Sequence, residues 1–322
     1  MYGGRIEKMT RDGVKRNSGV GGLLAIALLI GVVFCGLLLS GEMSGYVTEG
    51  IELAIKSVIP ASLPFMIISD FYTHYGHPER IAFLKSIFTA LTGLPAGALG
   101  AFICGNVGGF PIGAKMTAEL YRTGGIDKRS AERLLALSSN PSCAFVIGGV
   151  GLGIYGKGEI GFILLISVYL SCALCALIAR SSTGKMNFNH FIFEQKYNFV
   201  NSVKSAGISS VGIISFISCF SVAAGLVKKH VKNRYFSTLI IMLLEVTNAV
   251  KIFAVSENLS VPLKLTLTSF SLGFGGLSVM MQSSIFTDGS DLSMKKYLPI
   301  KLLQGVISGA LTSLLYLLVF NR

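Results

Sequence analysis

Residues 93–125 read GLPAGALGAFICGNVGGFPIGAKMTAELYRTGG. The stretch is apolar enough to enter a bilayer, yet Gly and Pro recur too often in it for one uninterrupted spanning helix. Polar residues gather towards its middle, at Asn106, Lys115 and Glu119. Both flanks are basic, with Arg80 and Lys85 before it and Arg122, Lys128, Arg129 and Arg133 after it. Basic residues mark the cytoplasmic side of a membrane segment, so two basic flanks put both ends on that side. A segment that enters and leaves on one side is a re-entrant hairpin, which is tolerated only where protein or a water-filled cavity surrounds it. The reading is a hairpin over 93–121.

The rest of the chain supplies the membrane that such a hairpin needs. Of its 322 residues, 52% are hydrophobic and only 14% are charged, where a soluble domain carries roughly 25% charged residues. The mean hydropathy is +0.66. With 38 glycines, this describes helices that face lipid and pack closely on each other. The expected class is an all-α integral membrane protein of about seven to eight transmembrane segments, with no separate soluble domain. A net charge of +12 sits in short loops beside apolar runs, where it orients helices and meets anionic lipid. The expected macromolecular surroundings are therefore a lipid bilayer and no nucleic acid. Cys172 and Cys175 form a C-x-x-C inside an apolar run and read as small packing residues. His74 and His77 have no further ligands nearby. Neither a metal nor a cofactor is expected.

Outward from the hairpin, residues 1–19 form a basic cytoplasmic N-terminus and 20–40 a first transmembrane helix. A second span begins near Thr48 and is interrupted by Pro60 and Pro64; it contains Glu52, Lys56 and Asp70. Residues 78–92 suit a short amphipathic helix along the interface. After the hairpin comes a span over 131–155 broken at Asn140-Pro141, the turn GKGE, and an uninterrupted span over 160–179. A polar connecting loop, 180–202, precedes segments at 203–227, 236–256, 262–286 and 298–320. The stretches 48–179 and 203–320 thus repeat one order of parts. If 236–256 is also a hairpin, each half crosses three times, which is the arithmetic of an inverted repeat. One observation opposes it: KKHVKNR, residues 228–234, then lies outside, against the positive-inside rule.

A charge near mid-bilayer costs at least about 2.5–3.5 kcal/mol, so intramembrane polar residues face a partner or a wet cavity. Four constellations qualify. At the hairpin, Asn106, Pro111, Gly113 and Lys115 either contact a solute through backbone amides and the lysine charge or only shape the reversal, with Lys115 pairing to Glu119. Asn140 and Ser142 lie at a helix break whose freed backbone groups ligate a solute or cation, unless Ser and Asn side chains satisfy them. Glu245 and Asn248 share a face in a third apolar run, with Lys251 one turn on. They read equally as a solute- or proton-binding group and as a buried ion pair. Ser278 and Gln282 follow the glycine break at 273–276, where small-residue packing is the competing account.

The hairpin GNVGGFPIGAKMTAELYRTGGI, the following ERLLALSSNPSCAFVIGGVGLGIYG, and the late LEVTNAV and GFGGLSVMMQ resemble a known family. They are similar to the nucleoside-recognition (Gate) domain membrane proteins and, among them, the YlbJ-type sporulation integral membrane proteins, from about residue 48 to 315. Phe110-Pro111-Ile112-Gly113-Ala114-Lys115 corresponds to the family's G-x-P-x-G-A-K hairpin and Ser138–Ser142 to its helix break, with Pro141 in place of the usual Ser or Gly. Met280 replaces a histidine common in the family's late segment. The resemblance implies a distant tie to concentrative nucleoside transporters, with paired hairpins and broken helices. It also implies a role in endospore formation, moving dipicolinate, a planar dianion, across the outer forespore membrane.

The expected function is therefore a transporter or facilitator of a small polar or anionic solute, dipicolinate by resemblance. A nucleoside-type solute and a non-transporting role in spore assembly are the alternatives. No nucleophile–base pair, phosphate loop or metal motif points to an enzyme.

Overall fold

The computed structural model describes residues 40–75, 81–180 and 198–320. The basic segment 1–19, nearly all of the apolar run 20–40, most of the loop 180–202, His77, and the side chains of Asp70 and His74 lie outside the described residues. The chain divides into two compact units, Met1–Tyr46 and Val47–Arg322, and the features below belong to the second apart from residues 40–46 at the start of the first helix.

Every regular element among the described residues is helical. Helix α1 (Ser40–Leu53) passes through a π turn, Ala54–Val58, into α2 (Ile59–Tyr75). Pro60 and Pro64 each remove an amide donor here, and the wider spacing of a π turn falls beside them. The segment expected to lie along the interface is α3 (Ala82–Thr92), which stops at Gly93 in the left-handed conformation (φ 63°). It then bends by 99° into Ala96–Gly108, whose α-helical part is α4 (Leu99–Gly108).

Helices α4 and α5 (Phe110–Arg122) meet at Gly109 and fold back on each other. Gly105 and Gly113, four residues either side of the turn, come close together: a Cβ on Gly105 stands 2.6 Å from the Gly113 Cα. Next come α6 (Lys128–Leu137), an unwound stretch over 138–142, and a π-helical segment, Ala144–Ile154. A turn at Gly156 leads to α7 (Gly158–Ile178). The second stretch contains α8 (Phe199–His230), α9 (Arg234–Leu244), α10 (Val246–Val255), α11 (Val261–Phe274), α12 (Gly276–Thr287) and α13 (Tyr297–Phe320).

Among the described residues, four helical stretches are long and apolar enough to cross a membrane, or six if each of two bent pairs counts as one. The sequence reading of about seven to eight segments included the run 20–40 and took several broken stretches as crossings. Helices α4, α5, α9 and α10 hold 10 to 13 residues each, or about 15–20 Å of helix against a hydrocarbon core of about 30 Å. On α7, Phe162, Ile166, Leu170, Leu174 and Leu177 are exposed at one residue per turn, while Leu164, Val168, Cys172 and Ala176 face inward. A helix apolar all round with one side uncovered needs lipid on that side. The protein is an integral membrane protein.

Helix α13 is the scaffold joining the two stretches, packing on α11 and on α7. Small residues let it approach closely. A Cβ on Gly305 stands 2.9 Å from the Phe270 carbonyl, and one on Gly309 stands 3.1 Å from that of Thr266. Ser269 and Ser308 share a hydroxyl hydrogen bond of 2.7 Å within this seam.

Candidate functional site

The four interruptions of the helices converge. Gly109 (φ 108°) joins α4 to α5, residues 138–142 separate α6 from the π segment, Glu245 separates α9 from α10, and Gly275 and Gly276 (φ 84° and 81°) separate α11 from α12. A Cβ on Gly109 lies 3.2 Å from the Ser142 side chain, one on Gly275 lies 3.3 Å from the Phe110 ring, and one on Gly276 lies 3.1 Å from the Leu244 carbonyl. Positions 109, 275 and 276 therefore need glycine twice over, for their left-handed backbone and for their close neighbours.

A partly open cavity lies where these breaks meet. Gly108–Pro111 line it from the α4–α5 turn, Ser142 from the α6 break, Glu245–Thr247 from the α9–α10 junction, and Val279 and Gln282 from α12. Val58, Ser62, Phe145 and Ile217 complete the wall. The mixture of apolar wall with a few polar groups is typical of ligand sites.

Glu245 is not a mid-helix residue as its place in the apolar run suggests. Its backbone is extended (φ −149°, ψ 121°) and it caps α10, accepting the Asn248 amide at 2.7 Å through Oε2. Capping puts a carboxylate at the positive end of a helix, which favours its charge. The side chain is nevertheless buried and lines the cavity. Helix α5 also begins at the cavity, and no side chain caps it at Gly109. Ser142 accepts the Phe145 amide at 3.2 Å. Gln282 donates to the Ser278 hydroxyl at 3.1 Å.

Of the residues singled out from the sequence, Pro111, Ser142, Glu245 and Gln282 meet at this cavity. The others stand behind it. Gly113 packs its backbone on the α6 break, where an added Cβ falls 2.1 Å from the Ser138 carbonyl oxygen. Lys115 is not among the lining residues, and Glu119 lies 3.8 Å from Arg122. Asn248 sends its side-chain amide to Ser221 on α8 at 3.4 Å. Ser278 is enclosed beside Gln282.

Asn106 and Asn140 belong to a second, solid cluster. Asn140 donates to the Asn106 Oδ1 at 2.8 Å and to the Leu137 carbonyl at 3.1 Å. Asn106 donates to the Phe102 carbonyl at 2.8 Å and to Leu137 at 3.3 Å. Its own carbonyl accepts from the Tyr169 hydroxyl. Lys301 and Gln304 of α13 complete the cluster through the Asn140 Oδ1. The sequence reading missed these two residues because the run 298–320 looks like a plain closing span. The available signal was their spacing of three, which puts them on one helix face. Ser62 and Thr247 were missed at the cavity because a hydroxyl in a membrane helix commonly bonds its own backbone.

No family model matches the chain, and no solved structure matches it. Over 83% of its length the chain is similar, at 25% identity, to the sporulation integral membrane protein YlbJ of Bacillus subtilis (strain 168), 76% of which it covers, and it is a distant homologue of that protein.

Proposed function

We propose that the chain is a membrane transporter or facilitator for a small polar solute, acting during endospore formation. The observation that carries this reading is the meeting of three helix interruptions at one cavity, with the fourth, Gly275-Gly276, packed against Phe110 and Leu244 of two of them. Helix breaks free backbone groups that lipid cannot satisfy, and lipid alone gives no reason to gather them at one place. Paired short helices and broken helices in two stretches of matching order are also the layout of inverted-repeat transporters, with the solute at the meeting point. The sporulation context comes from the relative.

Dipicolinate, crossing the outer forespore membrane, is the solute favoured by the YlbJ-type resemblance. The uncapped start of α5 supports it, because a helix N-terminus attracts a carboxylate. A nucleoside-like neutral solute is favoured by one different observation. The ionisable side chain among the described residues lining the cavity is an acid, Glu245, which suits hydroxyl donors better than a dianion.

Proteoliposomes holding the full chain test both solutes. Dipicolinate uptake above the empty-vesicle rate is the expected result, with nucleoside uptake pointing to the second reading. Neither solute moving faster than in empty vesicles refutes transport.

A further inference from the structure

Lys301 is completely enclosed on α13. Its Nζ donates to the Ser139 carbonyl at 2.6 Å, the Asn140 Oδ1 at 3.0 Å and the Gln304 Oε1 at 2.7 Å. Three acceptors match the three N–H bonds of an ammonium. A neutral amine has two N–H bonds and a lone pair, so one of these oxygens would face that lone pair; the acceptor set selects the cation.

All three acceptors are uncharged, and among the described residues no carboxylate pairs with Lys301. Buried lysines are ordinarily paired with an acid. Here a carbonyl at a helix break and two amide oxygens do the holding, which is how unwound membrane helices bind a monovalent ion. The oxygens are also held in position. Asn140 is oriented by its bond to Asn106, and Gln304 donates to the same Asn140 Oδ1 at 2.6 Å and to the Val168 carbonyl at 3.3 Å.

We infer that the α6 break is a monovalent-cation cradle and that the Lys301 ammonium is its tethered occupant. The chain carries in covalent form the charge that a free Na⁺ or K⁺ supplies at such a break. One consequence, solute movement that needs no Na⁺ or K⁺, rests on the transport reading; the cradle itself does not.

The test is thermal unfolding of the purified full chain in detergent, in choline, sodium, potassium and methylammonium chlorides at equal ionic strength. The parent is expected to melt at one temperature in all four. Lys301→Ala empties the cradle, so it should melt lower in choline and gain several degrees in methylammonium or potassium, because a ligand that binds only the folded state stabilises it. If Lys301→Ala yields no folded protein in choline, those cations should restore a folded peak on gel filtration. Lys301→Met fills the space without donors and should melt low whatever the cation. Four results overturn the inference: a sodium- or potassium-specific rise in the parent, Lys301→Ala melting like the parent, Lys301→Ala gaining neither melting temperature nor folded yield from any cation, or an equal gain in Lys301→Met. Unfolding requires no solute to move, so a failure of transport leaves this test intact.

Discussion

The break after α6 and the break after α11 occupy matching places in the two stretches, yet they are made from different materials. The first is chemical. Ser139 and Asn140 offer oxygens, Lys301 and Gln304 fill them, and the whole cluster is enclosed. The second is conformational. Gly275 and Gly276 take left-handed backbone angles, and Gly273 lets α13 approach with an added Cβ only 3.1 Å from the Gln304 carbonyl. A helix can thus be opened either by giving its freed polar groups a partner or by removing the side chains that forbid the turn. The first device resists movement, because its bonds must break together. The second asks only for backbone rotation.

The largest effect should come from attacking the chemical break. Asn140→Ala removes one of three acceptors of a buried ammonium and leaves Gln304 without its main partner, at a cost of about 3 kcal/mol. Thermal unfolding should show it as the least stable of the variants considered, and parent-like melting would mean the cluster carries little energy. At the conformational break, Gly276→Ala puts a side chain at φ 81° and 3.1 Å from the Leu244 carbonyl. The left-handed strain alone is about 1–2 kcal/mol, so it should melt above Asn140→Ala and below the parent.

A third comparison separates the cavity from the cluster. Glu245→Gln keeps an acceptor for the Asn248 amide, so stability should change little while solute flux falls by about tenfold, or about 1.4 kcal/mol of lost interaction. Asn106→Ala should do the reverse, losing stability while the flux per folded molecule is kept. If both variants lose flux equally at full stability, the division drawn between cavity and cluster is wrong.

The smallest effect belongs to the rim, outside the spanning helices. The Tyr121 hydroxyl donates to Asp291 at 2.6 Å and Lys128 lies 2.9 Å from its other oxygen. The Tyr121 bond first, and then Lys128, holds the Asp291 carboxyl below its ordinary value of 3.8. A depressed carboxyl stabilises the fold above its unfolded value and loses that contribution as pH falls through the folded one. Melting temperature should therefore drop slightly more steeply below about pH 4 in the parent than in Asp291→Asn. Parallel acid profiles would show that this exposed latch contributes nothing measurable.

Much of the architecture was legible because it depends on local chemistry. Hydropathy marks helices that face lipid, and Gly and Pro mark where a helix cannot continue, so the turn near Gly109 and the breaks at Asn140-Pro141 and at 273–276 could be read from residue order. The third interruption was half seen. Glu245 stood out as an intramembrane acid, but nothing nearby in sequence says that the chain is extended there and that the acid caps the following helix.

What residue order cannot convey is the partner of each polar group. Asn106 and Asn140 read from residue order as solute ligands or as structural groups at the hairpin and the helix break; their bonds go to Leu137, Phe102 and α13. Lys301 lies within a few residues of a helix start, where a lysine ordinarily reaches out to the interface. Only the packing of α13 against the α6 break turns it inward, because that is where the Ser139 carbonyl and the Asn140 Oδ1 accept two of its N–H bonds. The sequence by itself determined that this is a helical membrane protein and where most of its helices are interrupted, since those properties follow from each residue's own solvation and backbone freedom. The tertiary structure alone decided which residues of the interruptions became cavity wall and which became a filled cation site, since that depends on contacts between residues as far apart as 140 and 304.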